Sequence, residues 1–220
     1  MRFYVIKVNA LLKCTVLAAI VLLAALMVYF SQGEVTAVFQ QKRDLPIYSV
    51  DYPEKKIALT FDCAWGSEDI PEILNTLKEH DVKATFFIIG VWAEKNPDAV
   101  KMIAEQGHDV ANHSYSHFRM GSIDNGKIRT EISKCDSVLE KLTGKKVDLF
   151  RAPYGDYNNN VVRIARELNH FTIQWDVDSL DWRPGIKPEE IKSRILKNVK
   201  TGQSCCFTMI RPILQKYSPT

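Results

Sequence analysis

From about Lys56 onward, short apolar runs alternate with segments that have helical periodicity, and this alternation limits the chain to few folds. Buried strands are predicted for five runs, at residues 57–61, 84–89, 109–112, 149–150 and 171–175. Helices are predicted from near residue 67 and at residues 97–106, 125–142, 161–168 and 188–199. Strands and helices in alternation are typical of an α/β fold with a mostly parallel sheet. We therefore expect one α/β domain whose sheet is either open or closed into a barrel.

An unbroken apolar run at residues 14–30 precedes this domain. A helix of this length, with its flanks, spans a hydrocarbon core of ~30 Å. Arg2, Lys7 and Lys13 lie on its N-terminal side and predict a single-pass membrane protein with a cytoplasmic N-terminus and an exported remainder. A cleaved signal peptide is the alternative, although Tyr29 and Phe30 are large where cleavage favours small residues. We expect an anchor at residues 1–32, a connector at 33–52 and the α/β domain at 53–220.

Composition excludes several classes of protein. The 220 residues are 46% hydrophobic and 25% charged, which is too apolar for a disordered chain. A formal net charge of +3 without a dense basic run argues against nucleic acid as a partner. The five cysteines form no CxxC pair or even framework, so disulfides do not organise the fold. We expect a monomer that meets the membrane through its N-terminal helix.

Polar clusters follow predicted strands at four places, residues 62–63, 113–117, 151–155 and 178–182. In α/β barrels, the loops at the carboxyl ends of the strands build the site. On a helical turn, the spacing of His113 and His117 would put both imidazoles on one face, within reach of a shared metal. Two surface histidines are the alternative. Arg151, held rigid by Pro153, could orient the carboxylate of Asp62 or form a structural ion pair with it.

Four motifs carry a resemblance to a known family: TFD at residues 60–62, HSxxH at 113–117, RxPYG at 151–155 and DxxDW at 178–182. From about Lys56 to Gly202, the chain resembles the NodB-homology polysaccharide deacetylases of carbohydrate esterase family 4. The string TFDCAWG and the short anchored architecture look most similar to the sporulation deacetylases of the PdaB type. The resemblance implies a distorted, incomplete (β/α) barrel preceded by one transmembrane helix. It also implies metal-assisted hydrolysis of N-acetyl groups on N-acetylglucosamine-type or muramic-type glycans.

The resemblance implies a role for each matching residue. Asp62 would be the general base, and Arg151 would orient it. The backbone N–H of Tyr154 would help to hold the oxyanion. Asp181 and Trp182 would support the general acid and line its side of the groove. In such a reaction the base takes a proton from water, and an acid protonates the departing amine.

The metal site departs from the family's pattern. His113 and His117 match the family's metal ligands, but the third ligand, an Asp directly after the base, is replaced here by Cys63. A thiolate can bind Zn²⁺, so a Cys–His–His site for Zn²⁺ or Co²⁺ is one hypothesis. We favour a weak or absent divalent metal, because two histidines without an anionic third ligand hold a hard divalent ion poorly.

The C-terminal segment from about residue 203 is the second departure. The family ends on a strand and a general-acid histidine, whereas no histidine follows His170 in this chain. Back-translation with a one-base shift inside Gly202 permits the reading SIVLFHNDTPYTAKVLP, which contains an apolar strand and a histidine. A frameshift near Gly202 is our hypothesis. As written, the segment is expected to supply neither the proton donor nor a closing strand, and the enzyme is expected to be weak or inactive.

We expect a membrane-anchored N-deacetylase that acts on cell-wall peptidoglycan during spore wall formation. The alternative is a catalytically weak or silent glycan-binding or structural relative on the same fold, favoured by the substituted third ligand and the altered terminus. The set of Asp62, His113, His117, Arg151 and Asp181 favours the enzyme, because a binding protein does not need a base, its orienting arginine and a histidine pair together. Removal of O-acetyl groups by the same residues is a third possibility.

Overall fold

The computed structural model describes residues 9–39 and 43–209, which belong to two compact units, Met1–Arg43 and Asp44–Thr220. The described part of the first unit contains helix α1, Ala10–Phe39. Its segment Leu12–Phe30 is long and apolar enough to cross a membrane, and none of it is buried within the protein. A signal sequence meets the same two criteria. Because α1 ends at Phe39, the first part of the predicted connector is helical.

The second unit is built around a sheet that has seven strands in the described residues. The strands are β1 Ala58–Cys63, β2 Thr85–Ile88, β3 Asp109–Asn112, β4 Leu149–Phe150, β5 Phe171–Thr172, β6 Val177–Asp178 and β7 Ser204–Met209. Their order is β5-β4-β3-β2-β1-β7-β6, and every pairing is parallel. β5 and β6 lie at the two ends of this order. The distorted, incomplete (β/α) barrel implied by the sequence is confirmed.

Helices connect the strands, as parallel pairing requires. They are α2 Ile70–Glu79, α3 Gly90–Lys95, α4 Pro97–Glu105, α5 Asn125–Thr143, α6 Asn159–Glu167 and α7 Pro188–Asn198. Two 3₁₀ turns, Met120–Ser122 and Pro153–Gly155, lie in the loops. The predicted helices are present with small changes at their ends. Helix α3 is an addition, because Gly90 begins a helix directly after β2.

The main apolar core lies between the sheet and the helices. In β1, Phe61 stacks on Phe86 of β2 and on Phe207 of β7, with 5.0 Å and 5.6 Å between the ring centroids. Successive side chains of a strand point to opposite faces. Thr60 and Asp62 therefore point away from this aromatic stack, to the face on which the site lies.

Strand β7 corrects one expectation from the sequence. Ser204–Met209 forms a six-residue strand that pairs with β1 along its whole length and also with β6. The expectation that the written chain lacks a closing strand is therefore wrong. Cys205 and Cys206 are buried, and Phe207 packs on Phe61. Burial of these side chains stabilises a strand whose composition is unusual for a barrel.

A segment of the predicted connector, residues 44–50, belongs to the second unit, and we call it the strap. Ile47 forms a parallel bridge with Ile173, next to β5, and Ser49 forms an antiparallel bridge with Gln203, just before β7. The backbone N–H of Val50 also donates to Gly202 O at 3.0 Å. The strap therefore links strand β5 with the turn that leads into β7.

Candidate active site

A buried ion pair between Asp62 and Arg151 lies at the carboxyl ends of the strands. Asp62 is near the end of β1, and Arg151 directly follows β4. Arg151 Nη1 donates to Asp62 Oδ1 at 2.6 Å and to Thr60 Oγ1 at 3.0 Å. The guanidinium carbon lies 3.8 Å from the centroid of the Phe87 ring. Because Arg151 is completely buried, these contacts fix the orientation of the Asp62 carboxylate.

His113 and His117 lie beside this pair, with 5.2 Å between their ring centroids. The expected proximity is present, but the expected helical turn is not: the loop after β3 has left-handed backbone at Ser114 (φ 65°) and His117 (φ 62°). His113 Nδ1 is 2.8 Å from Arg151 O, within hydrogen-bond distance. Its Nε2 is 3.6 Å from Asp62 Oδ2. The loop conformation, rather than helical periodicity, brings the two imidazoles together.

Burial keeps both imidazoles neutral near pH 7. It lowers the pKa of His113, against the opposing effect of the Asp62 charge. Burial and the neighbouring His113 lower the pKa of His117 to about 4. The neutral imidazole is the form that accepts a proton or binds a metal. These histidines are therefore not charged partners of Asp62 at neutral pH.

Two aromatic side chains, Tyr154 and Trp65, lie next to His117. Its Nδ1 is 3.1 Å from the hydroxyl of Tyr154, and its ring is nearly perpendicular to that of Trp65, with 5.2 Å between the ring centroids. Trp65 and Tyr154 are about half exposed. Tyr154 has left-handed backbone (φ 60°) within the turn Pro153–Gly155. The sequence analysis did not single out Trp65, and only its position within TFDCAWG could have indicated it.

Asp181 and Trp182 lie in the loop after β6. The Asp181 carboxylate accepts the backbone N–H of Thr208, at 3.0 Å and 2.9 Å to its two oxygens. Burial raises the pKa of Asp181 to about 6. Because Thr208 is the register partner of Asp62, Asp181 lies on the side of the site formed by β7. Trp182 is half exposed and donates through Nε1 to Asp178 Oδ1 at 3.3 Å.

Cys206 is a neighbour of the ion pair that the sequence analysis missed, since it lies in the atypical C-terminal segment. Its Sγ is 3.5 Å from Asp62 Oδ2 and 3.5 Å from Arg151 Nη1. Burial, followed by the charge of Asp62, raises the pKa of this thiol well above its usual value. A protonated thiol therefore lies against the carboxylate oxygen that Arg151 leaves available.

Cys63 does not fit the role of a third metal ligand. It is completely buried and belongs to the apolar core with Ile70 and Leu74. Burial, followed by the charge of Asp62, raises the pKa of its thiol well above the usual value. In the described residues, no group of three His, Cys, Asp or Glu side chains could hold a metal ion.

Comparisons with known proteins identify the family of the chain. Residues 49–173 match the family model for polysaccharide deacetylase. A peptidoglycan-N-acetylglucosamine deacetylase of Bacillus cereus is 40% identical over 155 residues, which are 70% of this chain and 56% of the relative. The peptidoglycan-N-acetylmuramic acid deacetylase PdaA of Bacillus subtilis is 32% identical over 131 residues, which are 59% of this chain and 50% of PdaA. The chain thus spans about half the length of these two relatives.

One similar solved structure is a carbohydrate esterase family 4 pseudoenzyme from Bacillus anthracis, with a TM-score of 0.72 and 36% identity. The match covers 74% of this chain and 58% of that protein. A mutant of that pseudoenzyme has restored enzymatic activity. Deacetylases of the family are generally metal-dependent. By its matched region, its fold and its motifs, the chain belongs to the polysaccharide deacetylases of carbohydrate esterase family 4, hydrolases that act on the C–N bond of N-acetyl groups in carbohydrates.

Proposed function

We propose that the chain is a membrane-anchored deacetylase that removes acetyl groups from the N-acetylated amino sugars of peptidoglycan. The observation that carries this proposal is the buried Asp62–Arg151 ion pair with the neutral His113 imidazole beside it. Burying a charge pair has a large desolvation cost, and such arrangements concentrate at catalytic sites. The names of the Bacillus cereus and Bacillus subtilis relatives support peptidoglycan as the substrate.

In the proposed mechanism, Asp62 takes a proton from the attacking water. Its Oδ1 is occupied by Arg151, so Oδ2, which faces His113 and Cys206, is the proton acceptor. The backbone N–H of Tyr154 stabilises the oxyanion that develops on the acetyl carbonyl. Trp182 offers a half-exposed ring on which a sugar can stack.

The written chain lacks a histidine after His170 that could protonate the departing amine. Counted from residue 203, the shifted reading SIVLFH puts its histidine at position 208. The backbone N–H at that position donates to the Asp181 carboxylate. Asp181 would therefore lie close enough to support a general-acid histidine there, which favours the frameshift hypothesis.

The proposal also includes a membrane anchor and the location of the catalytic domain outside the cytoplasm. The span Leu12–Phe30 and the basic residues before it favour a single-pass protein with a cytoplasmic N-terminus and an exported catalytic domain. A role in spore wall formation rests on the similarity of the string TFDCAWG to sporulation deacetylases. Spore peptidoglycan is therefore the preferred substrate in this proposal.

Acetate release from N-acetylated peptidoglycan tests the proposal. The full-length chain, in detergent micelles, is assayed as written and with the shifted C-terminus, on spore and vegetative walls. We expect the shifted form to be faster by about 10²–10⁴, the usual contribution of a general acid. Asp62→Asn in each form is the matched control and should abolish release. Free amine in the product shows N-deacetylation, and free hydroxyl shows O-deacetylation. No acetate from either folded form would overturn the proposal.

A second candidate function is glycan binding without catalysis. Two observations favour it: the buried, protonated thiol of Cys63 at the third-ligand position, and the similarity to a pseudoenzyme. This candidate predicts that the folded chain sediments with insoluble peptidoglycan but releases no acetate. Binding that survives Asp62→Asn while acetate stays at background would favour it over the deacetylase.

Cobalt titration tests the role of Cys63 separately. Because the thiol is buried and protonated, we expect added Co²⁺ to give no sulfur-to-cobalt charge-transfer absorption in the full-length chain. Cys63→Asp supplies a carboxylate in place of the thiol and is the comparison; because the side chain at this position lies in the apolar core, it should bind Co²⁺ no more tightly than the original chain. A charge-transfer band that disappears in Cys63→Ser would show that the thiolate is a ligand after all.

A further inference from the structure

Helix α5 holds the histidine loop, residues 113–117, through a buried carboxylate. Glu131 is only 2% exposed, yet it lies in a helix outside the sheet. Its Oε2 accepts the backbone N–H of Ser116 at 2.6 Å, and its Oε1 accepts the Ser116 hydroxyl at 3.1 Å. Lys127, one turn earlier in the same helix, also lies close to this carboxylate, with its Nζ 3.5 Å from Oε1. Both carboxylate oxygens of Glu131 are therefore engaged by the histidine loop.

A second carboxylate of α5 reaches the same loop through one intermediate side chain. Asp136 Oδ1 accepts Asn112 Nδ2 at 2.7 Å. Asn112 Oδ1 in turn accepts the backbone N–H of Ser114 at 2.7 Å, and Ser114 Oγ accepts the backbone N–H of His117 at 3.1 Å. The other oxygen of Asp136 is 3.0 Å from Nε2 of the buried His170.

The loop needs such support because its backbone is strained. Ser114 and His117 both have left-handed backbone, which costs about 1 kcal/mol or more for a residue with a side chain. Hydrogen bonds to a charged acceptor are about twice as strong as neutral ones. The bond from Ser116 to Glu131 is of this charge-assisted kind, and it lies between the two strained positions in sequence.

We propose that Glu131 and Asp136 are positioning residues, which hold the histidine loop so that the imidazoles of His113 and His117 lie beside Asp62. Neither carboxylate touches the substrate groove in this proposal, and both act through the loop. The inference rests on the proposed function for its catalytic meaning. The accessibility of the imidazoles can be measured without an activity assay. A negative result for the positioning role is therefore distinguishable from failure of the deacetylase proposal.

Carbethoxylation of histidine imidazoles by diethyl pyrocarbonate, located by mass spectrometry, provides that test on the full-length chain in detergent micelles. His113 is 2% exposed and should react slowly, whereas the exposed His80 is an internal reference. In Glu131→Ala we expect His113 to react at least about tenfold faster, because the backbone N–H and the hydroxyl of Ser116 both lose a charged acceptor. In Glu131→Gln, whose carbonyl can still accept the Ser116 N–H but carries no charge, we expect a rate between those of the original chain and Glu131→Ala.

Glu140→Ala is the matched control. Glu140 belongs to the same helix and accepts a backbone N–H of a different loop, that of Val147, at 3.3 Å. It should leave the rate at His113 unchanged. His108, which is buried at the other end of β3, should stay slow in every variant, and this separates loss of positioning from general loosening of the fold. Asp136→Ala should expose His170 together with His113.

An unchanged rate at His113 in folded Glu131→Ala would overturn the proposal, and so would an equal rise at His108. If Glu131→Ala does not fold, hydrogen exchange of the unsubstituted chain decides. The amides of Ser114 and Ser116 donate to Asn112 and Glu131 and should exchange as slowly as the interior of α5. Exchange of these two amides at the rate of an unprotected loop would overturn the proposal as well.

Discussion

The Asp62–Arg151 pair is a case in which burial decides the size of an electrostatic effect. Removing one partner of a buried pair leaves an uncompensated charge. We expect Arg151→Met to lower the free energy of unfolding by about 3–5 kcal/mol. Combining it with Asp62→Asn should recover part of this loss, since the orphaned charge is gone. Thermal unfolding of the full-length chain, followed by near-ultraviolet circular dichroism, measures both effects.

The control for this prediction is an exposed pair of the same kind. Arg163 Nε lies 3.0 Å from Asp44 Oδ2, and the Arg163 side chain is 47% exposed. Solvent screens such a pair, so Arg163→Met should cost less than about 1 kcal/mol. Equal losses at the two arginines would show that Asp62 and Arg151 are not held together away from water.

The raised pKa of Asp181 predicts that the stability of the protein depends on pH. Its pKa in the folded chain is raised to about 6 from a model-compound value of 3.8, so the folded state binds the proton more tightly than the unfolded state. The stability that Asp181 contributes is fully present below pH 3.8 and is lost as the pH rises through about 6. Between pH 4 and pH 6.5, the stability of the original chain relative to Asp181→Asn should fall by on the order of 2 kcal/mol.

Melting temperatures of the two proteins across this range measure the effect. Asp98→Asn is the control, because the Asp98 side chain is 95% exposed. Its stability difference from the original chain should not change with pH. A constant difference for Asp181→Asn as well would mean that the Asp181 carboxyl is hydrated in the folded protein.

At the scale of elements, the sequence predicted what periodicity and turn chemistry determine, and missed what tertiary contacts determine. Strand 109–112 was predicted at its observed bounds, and helix 125–142 to within one residue. The conformation of the histidine loop could not be predicted, because it depends on hydrogen bonds to Glu131 and Asn112. Strand β7 was missed because its cysteines gain their stability from burial between β1 and β6.

The site shows the same division. The proximity of Asp62, Arg151 and the two histidines followed from motifs at strand ends, since the carboxyl ends of parallel strands meet at one edge. The roles carried over by resemblance stay predictions. Cys206 and Trp65 were missed because no local pattern marks a side chain that reaches the site from a neighbouring strand or loop.

The turn into β7 gives a prediction at this scale. Gly202 has φ +79°, and a Cβ there would lie 2.0 Å from the backbone oxygen of Val50 in the strap. Gly202→Ala should therefore separate the strap from the turn and lower the melting temperature by about 5 °C or more, which corresponds to at least about 2 kcal/mol. Gly185→Ala is a matched control, because Gly185 has the same φ of +79° and its Cβ would meet nothing within 4 Å.

Gly185→Ala bears only the cost of left-handed backbone, about 1 kcal/mol. The difference between the two variants isolates the contact with the strap. If both variants melt at the same temperature, residues 44–50 do not stabilise the α/β unit, and its N-terminal limit lies after the strap. If Gly202→Ala melts lower, a domain that begins at residue 53 omits part of the structure it needs.

At the scale of the whole molecule, the two compact units have opposite surfaces. The described side chains of Leu12–Phe30 are exposed and apolar, whereas the α/β unit carries most of the charged residues on its outside. Exposed apolar surface of this extent is unfavourable in water and is matched by a bilayer. A membrane span at Leu12–Phe30 is therefore the interpretation that accounts for this surface.

If Leu12–Phe30 is an anchor, the chain should remain in the membrane after carbonate extraction, at its full mass. Protease added to the outside of the cells should then remove the α/β unit. Leu22→Arg, near the middle of the span, should move a large fraction to the soluble pool, because Arg at that depth costs about 2.5–3.5 kcal/mol. Leu196→Arg, on an exposed position of α7, is the matched control and should leave the distribution unchanged. A shortened, soluble product whose new N-terminus lies just after residue 30 would contradict the anchor and identify a cleaved signal peptide.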